Sequence, residues 1–454
     1  MNIKLTNQNY NATVVEIKTL IPLENCDNVQ VTLIMGNQVV VGKNIKIGDI
    51  GLFFPVETEL SEQYLSSNNL YRNKELNDDK TKVGYFEENR RIRCVKFRGN
   101  KSEGLFMPID SLYFIYDKNG EYPKIGDSFN EFNDVLICEK YILKGIKVPI
   151  TSKSKTNKKT IKLKNLLIPN QFRFHEETSQ LYKNLHKIHP DDLIQISYKM
   201  HGSSCVISNV LVKKDLKWYE KLLIKVGISI PTEEYTFIYS SGKPKSNLPK
   251  GIVGSWKNNN GNYYSDYIWE SAYKKLKEFI PKGMSVYSEL VGFTENGSDI
   301  QKGYDYGQEP NTFGIYIYRI TYTNSEGRVF EFSAKQVQDW CKKNGLNSVP
   351  ELYYGYAKDF IDTFNLLTGA SDFGGTKLIC KVDDKFDSEK FLQRVKLLYT
   401  DKPCYMCKSK LPEEGCVVRI EGQDLEVFKC KSTKFLEYET KQLDKMEIDI
   451  ENEQ

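Results

Sequence analysis

The sequence lacks any uninterrupted apolar run long enough to cross a bilayer. Its first stretch, MNIKLTNQNYNATVVEI, contains neither the apolar segment nor the small-residue cleavage site of a secretory signal. We therefore expect a cytoplasmic protein without a membrane partner. Lysine and arginine outnumber aspartate and glutamate by only 64 to 60, which argues against a bulk polycation that coats nucleic acid but allows a local basic groove.

A disulfide framework is also missing. The ten cysteines are spread over 454 residues, mostly singly and within apolar runs, so we interpret them as reduced core thiols. Cys404 and Cys407 form the one CxxC. Because Cys416 and Cys430 lie in predicted strands, no second pair has the spacing of a zinc site, and structural thiols are favoured over zinc.

The composition is that of a globular protein, with 40% hydrophobic, 12% aromatic and 27% charged residues. The length exceeds one ordinary core, so we expect two domains. Residues 1–150 contain short alternating segments between turns, namely ATVVEIKTL, VQVTLIM, QVVVGK, IGLFFPV, RRIRCVKF and GLFMPI. This density of strands predicts a small OB-like β-barrel, with a two-sheet sandwich as the competing fold.

A stretch with six lysines, residues 151–164, is interpreted as a linker. Residues 165–440 alternate strands with helices, which predicts an α+β domain of mostly antiparallel sheets. We expect helices over Lys214–Val226, Asp266–Ile280 and Ala334–Asn344, the last capped by Ser333 and stopped by Gly345. Residues 441–454 are interpreted as an acidic tail.

The string ISYKMHGSSCVISNV, residues 196–210, carries the candidate nucleophile. Lys199 stands at a strand end before a turn at Gly202, so its amine can project into a cleft. His201 either contacts phosphate or braces the turn.

In MSVYSELVGF, residues 284–293, strand periodicity places Tyr287 and Glu289 on one face, where a ring and a carboxylate suit the base and ribose of a nucleoside.

Two later strings supply charge. EEGCVVRI, residues 413–420, places Glu414 on a turn, where its carboxylate would hold a divalent metal over phosphates, and Arg419 near the end of the following strand. In FKCKSTKFLEYE, residues 428–439, Lys429 and Lys431 share a face while Cys430 points into the core. Two converging amines require a phosphate or a carboxylate between them.

These strings, in this order, resemble the nucleotidyltransferase motifs of ATP-dependent RNA ligases, and the barrel-like region before them resembles the Deinococcus-type family. The resemblance implies that Lys199 takes AMP from ATP with Mg²⁺ or Mn²⁺, and that the enzyme seals 3′-OH/5′-phosphate nicks. The implied substrates are RNA:RNA or RNA:DNA duplexes with a ribonucleotide at the 3′-OH. It further implies nucleotide contacts by Gln180 and by Lys243, where an arginine is common.

Two alternatives stay open at this stage. A capping-type guanylyltransferase shares the lysyl-nucleotide chemistry but uses GTP and normally carries its OB domain on the C-terminal side. An RNA-binding protein on a ligase scaffold would need no catalytic lysine.

Overall fold

The computed structural model describes residues 1–24, 26–97, 99–115, 122–142, 167–175, 177–240, 267–360, 386–422 and 424–444. The predicted linker over residues 151–164, Lys243 and the chain beyond residue 444 lie outside the described residues. Within the described residues, no helix is both long and apolar enough to span a membrane.

The N-terminal part is dominated by short strands, as predicted. They are β1 (Ile3–Lys4), β2 (Ala12–Glu16), β3 (Ile21–Pro22), β4 (Val29–Ile34), β5 (Asn37–Gly42), β6 (Ile50–Pro55), β7 (Thr58–Leu60), β8 (Val95–Phe97), β9 (Asn100–Ser102), β10 (Gly104–Pro108), β11 (Ser128–Phe129), β12 (Glu131–Phe132), β13 (Val135–Leu136) and β14 (Cys138–Lys140). Helix α1 (Glu62–Ser67) and 3-10 turns at Lys74–Leu76 and Ile109–Leu112 connect them.

Strand β2 lies in the middle of the principal N-terminal sheet, whose order is β10-β6-β2-β11. Its side chains supply two cores, because Val14 packs with Leu52 and Phe129 on one side while Val15 packs with Phe53 on the other. A strand that is buried on both faces belongs inside a closed or doubly covered sheet. The two cores of the N-terminal part therefore lie on opposite faces of β2.

The C-terminal part contains β15 (Ser179–Gln180), β16 (Leu193–Tyr198), β17 (Ser203–Lys213), β18 (Glu233–Ser240), β19 (Met284–Gly292), β20 (Phe313–Thr323), β21 (Val329–Glu331), β22 (Asn347–Ser348), β23 (Glu351–Tyr356), β24 (Gly415–Ile420) and β25 (Glu426–Lys431). Its helices are α2 (Trp218–Lys225), α3 (Tyr267–Leu276), α4 (Ala334–Lys343), α5 (Ser388–Tyr399) and α6 (Thr433–Asp444), with 3-10 turns at Leu181–Lys183, Leu185–Lys187 and Lys277–Phe279.

Two sheets organise these elements, which confirms the predicted α+β class. One sheet has the order β18-β17-β19-β20-β21, and the other has the order β15-β25-β24-β16-β23. Pairing is antiparallel except between β15 and β25 and between β20 and β22. Helices α3 and α4 cover the first sheet and α5 covers the second, each across an apolar core. The chain passes from the second sheet to the first between β16 and β17, over residues 199–202.

The predicted helices form with adjusted limits. Helix α2 begins four residues later than expected, because the chain first makes a turn in which the Leu216 amide donates to the Lys214 carbonyl at 2.9 Å. Helix α3 ends at Leu276 and a 3-10 turn follows it. Helix α4 ends at Lys343, one residue before the predicted limit, and its predicted cap at Ser333 is confirmed.

The last described helix joins the two parts of the chain. Helix α6 continues past Thr440 into the predicted acidic tail and ends at Asp444, whose carboxylate pairs with Arg91 at 2.7 Å. Glu437 on the same helix pairs with Lys96 at 2.8 Å. Helix α6 therefore includes the first four residues of the segment interpreted as an acidic tail and contacts the N-terminal part through Asp444.

We expect Ser333→Ala to lower the free energy of unfolding by about 1 kcal/mol, because Ser333 Oγ accepts from the Gln336 amide and Gln336 Oε1 accepts in return. Chemical denaturation measures this loss. Asp339→Ala, on the exposed face of the same helix, is the control and should not destabilise. Equal stability of the Ser333 variant and the unmodified protein would contradict the capping role.

Candidate active site

Lys199 lies where the chain leaves one sheet for the other, as its sequence context predicts. Its amide donates to the Gly415 carbonyl at 3.0 Å, which ties the residue to the start of β24. Its side chain is 18% exposed, so the amine is neither sealed in the core nor free in bulk solvent. Gly202 ends the crossover, and a Cβ there would lie 2.4 Å from the Leu290 carbonyl, so this close approach to β19 requires glycine.

A buried carboxylate faces the Lys199 amine. Glu414 Oε1 lies 2.5 Å from Lys199 Nζ, and the Glu414 side chain has no exposed surface. Burial alone would raise the pKa of Glu414, but the charges of Lys199 and His201 outweigh it and lower the pKa to about 2. Glu414 is thus held as an anion against the candidate nucleophile.

Backbone geometry fixes the position of Glu414. The next residue, Gly415, has φ +132°, and a Cβ there would lie 2.1 Å from the Cys430 carbonyl. The Ser432 amide donates to the Glu414 carbonyl at 2.8 Å. The glycine therefore lets β24 approach β25 closely, directly beside the carboxylate.

His201 braces the turn. Its amide donates to Tyr306 Oη at 2.7 Å, and its ring packs edge-on against Tyr304 and Phe435. Its Nδ1 lies 3.7 Å from Glu414 Oε2. The aromatic packing favours the bracing role among the two that the sequence left open, and the ring adds a second contact to the Glu414 carboxylate.

Lys429 and Lys431 share one face of β25, as predicted, and both are buried. Each amine has carboxylate partners in this structure. Lys429 Nζ lies 3.2 Å from Glu177, while Lys431 Nζ lies 3.3 Å from Glu57 and 3.2 Å from Glu439. The repulsion expected between two converging amines is therefore compensated by carboxylates.

The two lysines differ electrostatically. Burial lowers the pKa of Lys429, and the charges of Lys431 and Lys199 lower it further against the opposing effect of Glu177. Burial also acts to lower the pKa of Lys431, but Glu439 and Glu57 outweigh it and raise the pKa above its usual range. The charges of Lys199 and Lys431 both reach Glu414, so the predicted cluster is one electrostatic unit.

Tyr287 and Glu289 lie on the face of β19 opposite the core that holds Val286 and Leu290. The Tyr287 ring is 1% exposed and is covered by the Arg319 guanidinium, 4.6 Å from the ring centroid. The Tyr287 ring is thus buried against Arg319 in this structure, and its stacking on a base stays a prediction. Glu289 is partly exposed on the same face.

Arg419 lies away from the amines. Its guanidinium donates to the Phe332 carbonyl and faces Glu331 and Glu421 at 3.9 and 3.7 Å, in a buried cluster. It stands four residues along β24 from Gly415, about 13 Å at the usual rise per residue. Arg419 lies near the end of β24, as predicted, and the structure does not bring it to the amines of Lys429 and Lys431, so its nucleotide contact stays a prediction.

Gln180 is the parallel neighbour of Lys429, with its amide donating to Asn9 Oδ1 at 2.9 Å, and it lines a cavity with both lysines.

Sequence reasoning missed the carboxylates that hold the lysines. Glu177 stands three residues before Gln180 in the segment FHEETSQL, so the expected need for a carboxylate between paired amines could have identified it.

Sequence reasoning also missed a polar cluster beside Glu289. Tyr318 Oη lies 2.9 Å from His175 Nδ1 and 3.5 Å from Ser204 Oγ, and Ser204 is the register partner of Glu289. Tyr318 is the extra residue where the register of β19 and β20 shifts, and period-two reasoning does not anticipate such a bulge.

The CxxC lies near this site. Cys404 and Cys407 have their sulfur atoms 3.0 Å apart, whereas two thiolates on one tetrahedral zinc are about 3.8 Å apart for Zn–S bonds of 2.3 Å. Nine cysteines fall within the described residues, and all nine are free thiols. In the described part of the chain, no group of three or more His, Cys, Asp or Glu side chains could hold a metal by itself.

The candidate site thus combines a lysine amine, a buried carboxylate and two further lysines on one strand face. It lies between two mostly antiparallel sheets that follow a strand-rich N-terminal part. The sequence model of an OB-fold domain matches residues 11–109, which confirms the predicted OB fold. The model described as RNA ligase matches residues 192–431, more than half of the chain. The chain belongs to the RNA ligase family and is an RNA-ligase enzyme by that membership.

Solved structures of the RNA ligase of Naegleria gruberi are similar to this chain over nearly its whole length. A variant with AMP and Mn is 13% identical with a TM-score of 0.54, covering 94% of this chain and 98% of that one. A variant with ATP and Mn is 14% identical with a TM-score of 0.53, covering 96% and 99%. The form with pyrophosphate is 13% identical with a TM-score of 0.54, covering 95% and 98%. These likenesses show a shared fold. No curated protein matches the sequence significantly.

We expect Glu414→Gln to lower the free energy of unfolding at pH 7 by about 3 kcal/mol, since a folded pKa of about 2 against 4.5 corresponds to that stabilisation. A depressed carboxyl pKa stabilises above its unfolded value, so the difference from the unmodified protein should shrink as the pH falls from about 4.5 to 2. Chemical denaturation across this range measures it.

Glu413→Gln is the matched control with the opposite sign. Burial raises the pKa of Glu413 from 4.5 to about 7, so this carboxyl lowers the stability of the fold progressively as the pH rises from about 4.5 to about 7. This variant should be at least as stable as the unmodified protein at pH 8 and equal to it below pH 4. The same sign for both variants would contradict the electrostatic assignment of Glu414.

Proposed function

We propose that this protein is an ATP-dependent RNA ligase that seals 3′-OH/5′-phosphate nicks through a lysyl-AMP on Lys199. The observation that carries the proposal is the Lys199 amine held 2.5 Å from the buried Glu414 carboxylate, within the field of Lys431. In the first step the amine would attack the α-phosphorus of ATP, forming a phosphoramidate as the bond to pyrophosphate breaks. AMP would then pass to the 5′-phosphate, and the 3′-hydroxyl would displace it.

The residues fit a divalent metal at Glu414. This carboxylate is buried beside the nucleophile, and Mg²⁺ in phosphoryl-transfer enzymes is commonly bound by one or two carboxylates together with substrate phosphates and water. Since no ready-made cluster of three ligands occurs among the described residues, phosphate oxygens would complete the site. A bound Mg²⁺ or Mn²⁺ would supply positive charge to the phosphates and to Glu414.

The chain's own residues would perform the rest by positioning and charge neutralisation. A lysine with a pKa of about 10.4 is neutral in fewer than about 1% of molecules at pH 7, so Lys199 has to lose its proton before attack. In this structure the Glu414 carboxylate lies beside the Lys199 amine, and an anion at that position favours the protonated, ammonium form of the lysine. Nucleotide binding must therefore draw the charge of Glu414 away from Lys199, while Lys429 and Lys431 face the phosphates.

Support for ATP and metal comes from the Naegleria ligase, whose structures contain ATP with Mn, AMP with Mn and pyrophosphate. ATP is the substrate expected of the first step, pyrophosphate is its leaving group, and AMP is the group that the lysine would carry. Glu289 would hold the ribose, and the OB-fold domain would grip the duplex flanking the nick. We further propose domain limits at residues 1–150 and 165–440, with the segment 151–164 as linker.

Incubation with labelled ATP and Mg²⁺ should give a covalent AMP adduct, which mass spectrometry of peptides should place on Lys199. Lys199→Ala should abolish the adduct. Lys187→Ala, which removes a surface lysine paired with Glu426, is the control and should retain it. Labelling by GTP alone would favour the guanylyltransferase, and no labelling by either nucleotide would favour a binding protein.

A nicked duplex tests the substrate. We expect sealing of RNA:RNA and RNA:DNA nicks with a ribonucleotide at the 3′-OH, and slower sealing by about tenfold or more when that nucleotide is a deoxynucleotide, because an enzyme site built to bind a hydroxyl strongly rejects the analogue without it. Denaturing gel electrophoresis measures the product. Equal rates for both ends, or a preference for single strands, would contradict this specificity.

A further inference from the structure

Lys431 is held by carboxylates from two distant parts of the chain. Glu439 lies on α6, eight residues further along, whereas Glu57 belongs to the turn between β6 and β7 of the OB-fold domain, 374 residues away. Glu57 Oε1 lies 3.3 Å from Lys431 Nζ, and its Oε2 accepts from Tyr10 Oη at 2.8 Å. One oxygen thus faces the lysine while the other is fixed by a second OB-fold residue.

Glu57 occupies a backbone conformation that glutamate disfavours. Its φ is +67°, in the left-handed region that favours glycine. Backbone hydrogen bonds hold it there, because its amide donates to the Ile92 carbonyl at 3.0 Å and its carbonyl accepts from the Tyr141 amide at 2.8 Å. A residue other than glycine therefore costs conformational energy at this position. The contact with Lys431 is an interaction that glycine, without a side chain, could not make.

The contact is largely shielded from water. The side chains of Lys431, Glu57 and Glu439 are 8%, 14% and 4% exposed. A buried amine loses its proton unless nearby anions stabilise the charged form. Lys429, which faces a single carboxylate, has a lowered pKa, whereas that of Lys431 is raised. Lys431 thus has two carboxylate partners where Lys429 has one.

We propose that Glu57 is a positioning residue through which the OB-fold domain holds the Lys431 amine in place for adenylyl transfer. This inference rests on the proposed function, in which Lys431 faces the phosphates of ATP. The nucleotide site is then composite, and the OB-fold domain contributes to the first chemical step as well as to duplex binding.

The experiment measures the rate of lysyl-AMP formation against ATP concentration and pH in the full-length protein. We expect Glu57→Gln to reduce the maximal rate by about tenfold, the usual effect of losing a hydrogen bond to a charged group. Without Glu57 the pKa of Lys431 should fall, so the rate should decline at a lower pH on the alkaline side than in the unmodified protein.

Two further variants separate this role from folding. Glu57→Gly removes the carboxylate but relieves the positive φ, which offsets part of the stability lost with the ion pair, so this variant should still fold and should still be slow. Glu59→Gln is the matched control, because Glu59 is a buried carboxylate two residues away that pairs with Arg90 inside the OB-fold domain. It should keep the unmodified rate and pH profile.

The outcomes are distinct. A slow, pH-shifted Glu57→Gly beside a normal Glu59→Gln supports the inference. Normal rates and an unshifted profile in both Glu57 variants, with labelling intact, overturn the inference alone. Absence of labelling in the unmodified protein overturns the proposed function and the inference with it.

Discussion

The buried carboxylate of Glu414 is the constraint on which the rest of the site depends. A carboxylate without exposed surface is costly unless cations surround it, and Lys199 and Lys431 meet this need beside the His201 ring. Those cations lie on the crossover between the sheets and on β25. The two sheets must therefore pack in one fixed arrangement for the cations to neutralise the Glu414 carboxylate. Stability and chemistry therefore require the same arrangement.

Charge pairing also joins the two parts of the chain. The OB-fold domain contacts the ligase domain through Glu57 at Lys431, through Arg91 at Asp444 and through Lys96 at Glu437. Helix α6 carries Asp444, Glu437 and also Glu439. This one helix therefore contacts Lys431 in the site and also contacts the OB-fold domain. Movement of the OB-fold domain would therefore change the contacts of Lys431 on β25.

Local patterns predicted what local physics determines. The alternation around Cys430 placed two lysines on one face, the strings around Gly202 and Gly415 marked tight turns beside the site, and Ser333 marked a helix start. The carboxylate partners could not be predicted this way, because Glu177 and Glu57 lie 252 and 374 residues from the lysines they contact. The strand position of Arg419 was predictable in the same local way, whereas its partner Glu331, on β21, is set by long-range packing.

The span between Glu57 and Lys431 has a consequence for biosynthesis. Ribosomes add roughly 5–20 residues per second, so the 374 residues between these two positions take about 20 to 75 seconds to make. The OB-fold strands can fold during that interval with Glu57 already in its turn, while β25 has yet to emerge. The lysine cluster therefore assembles only after β25 has emerged, and until then a nascent chain bearing Lys199 lacks Lys429 and Lys431.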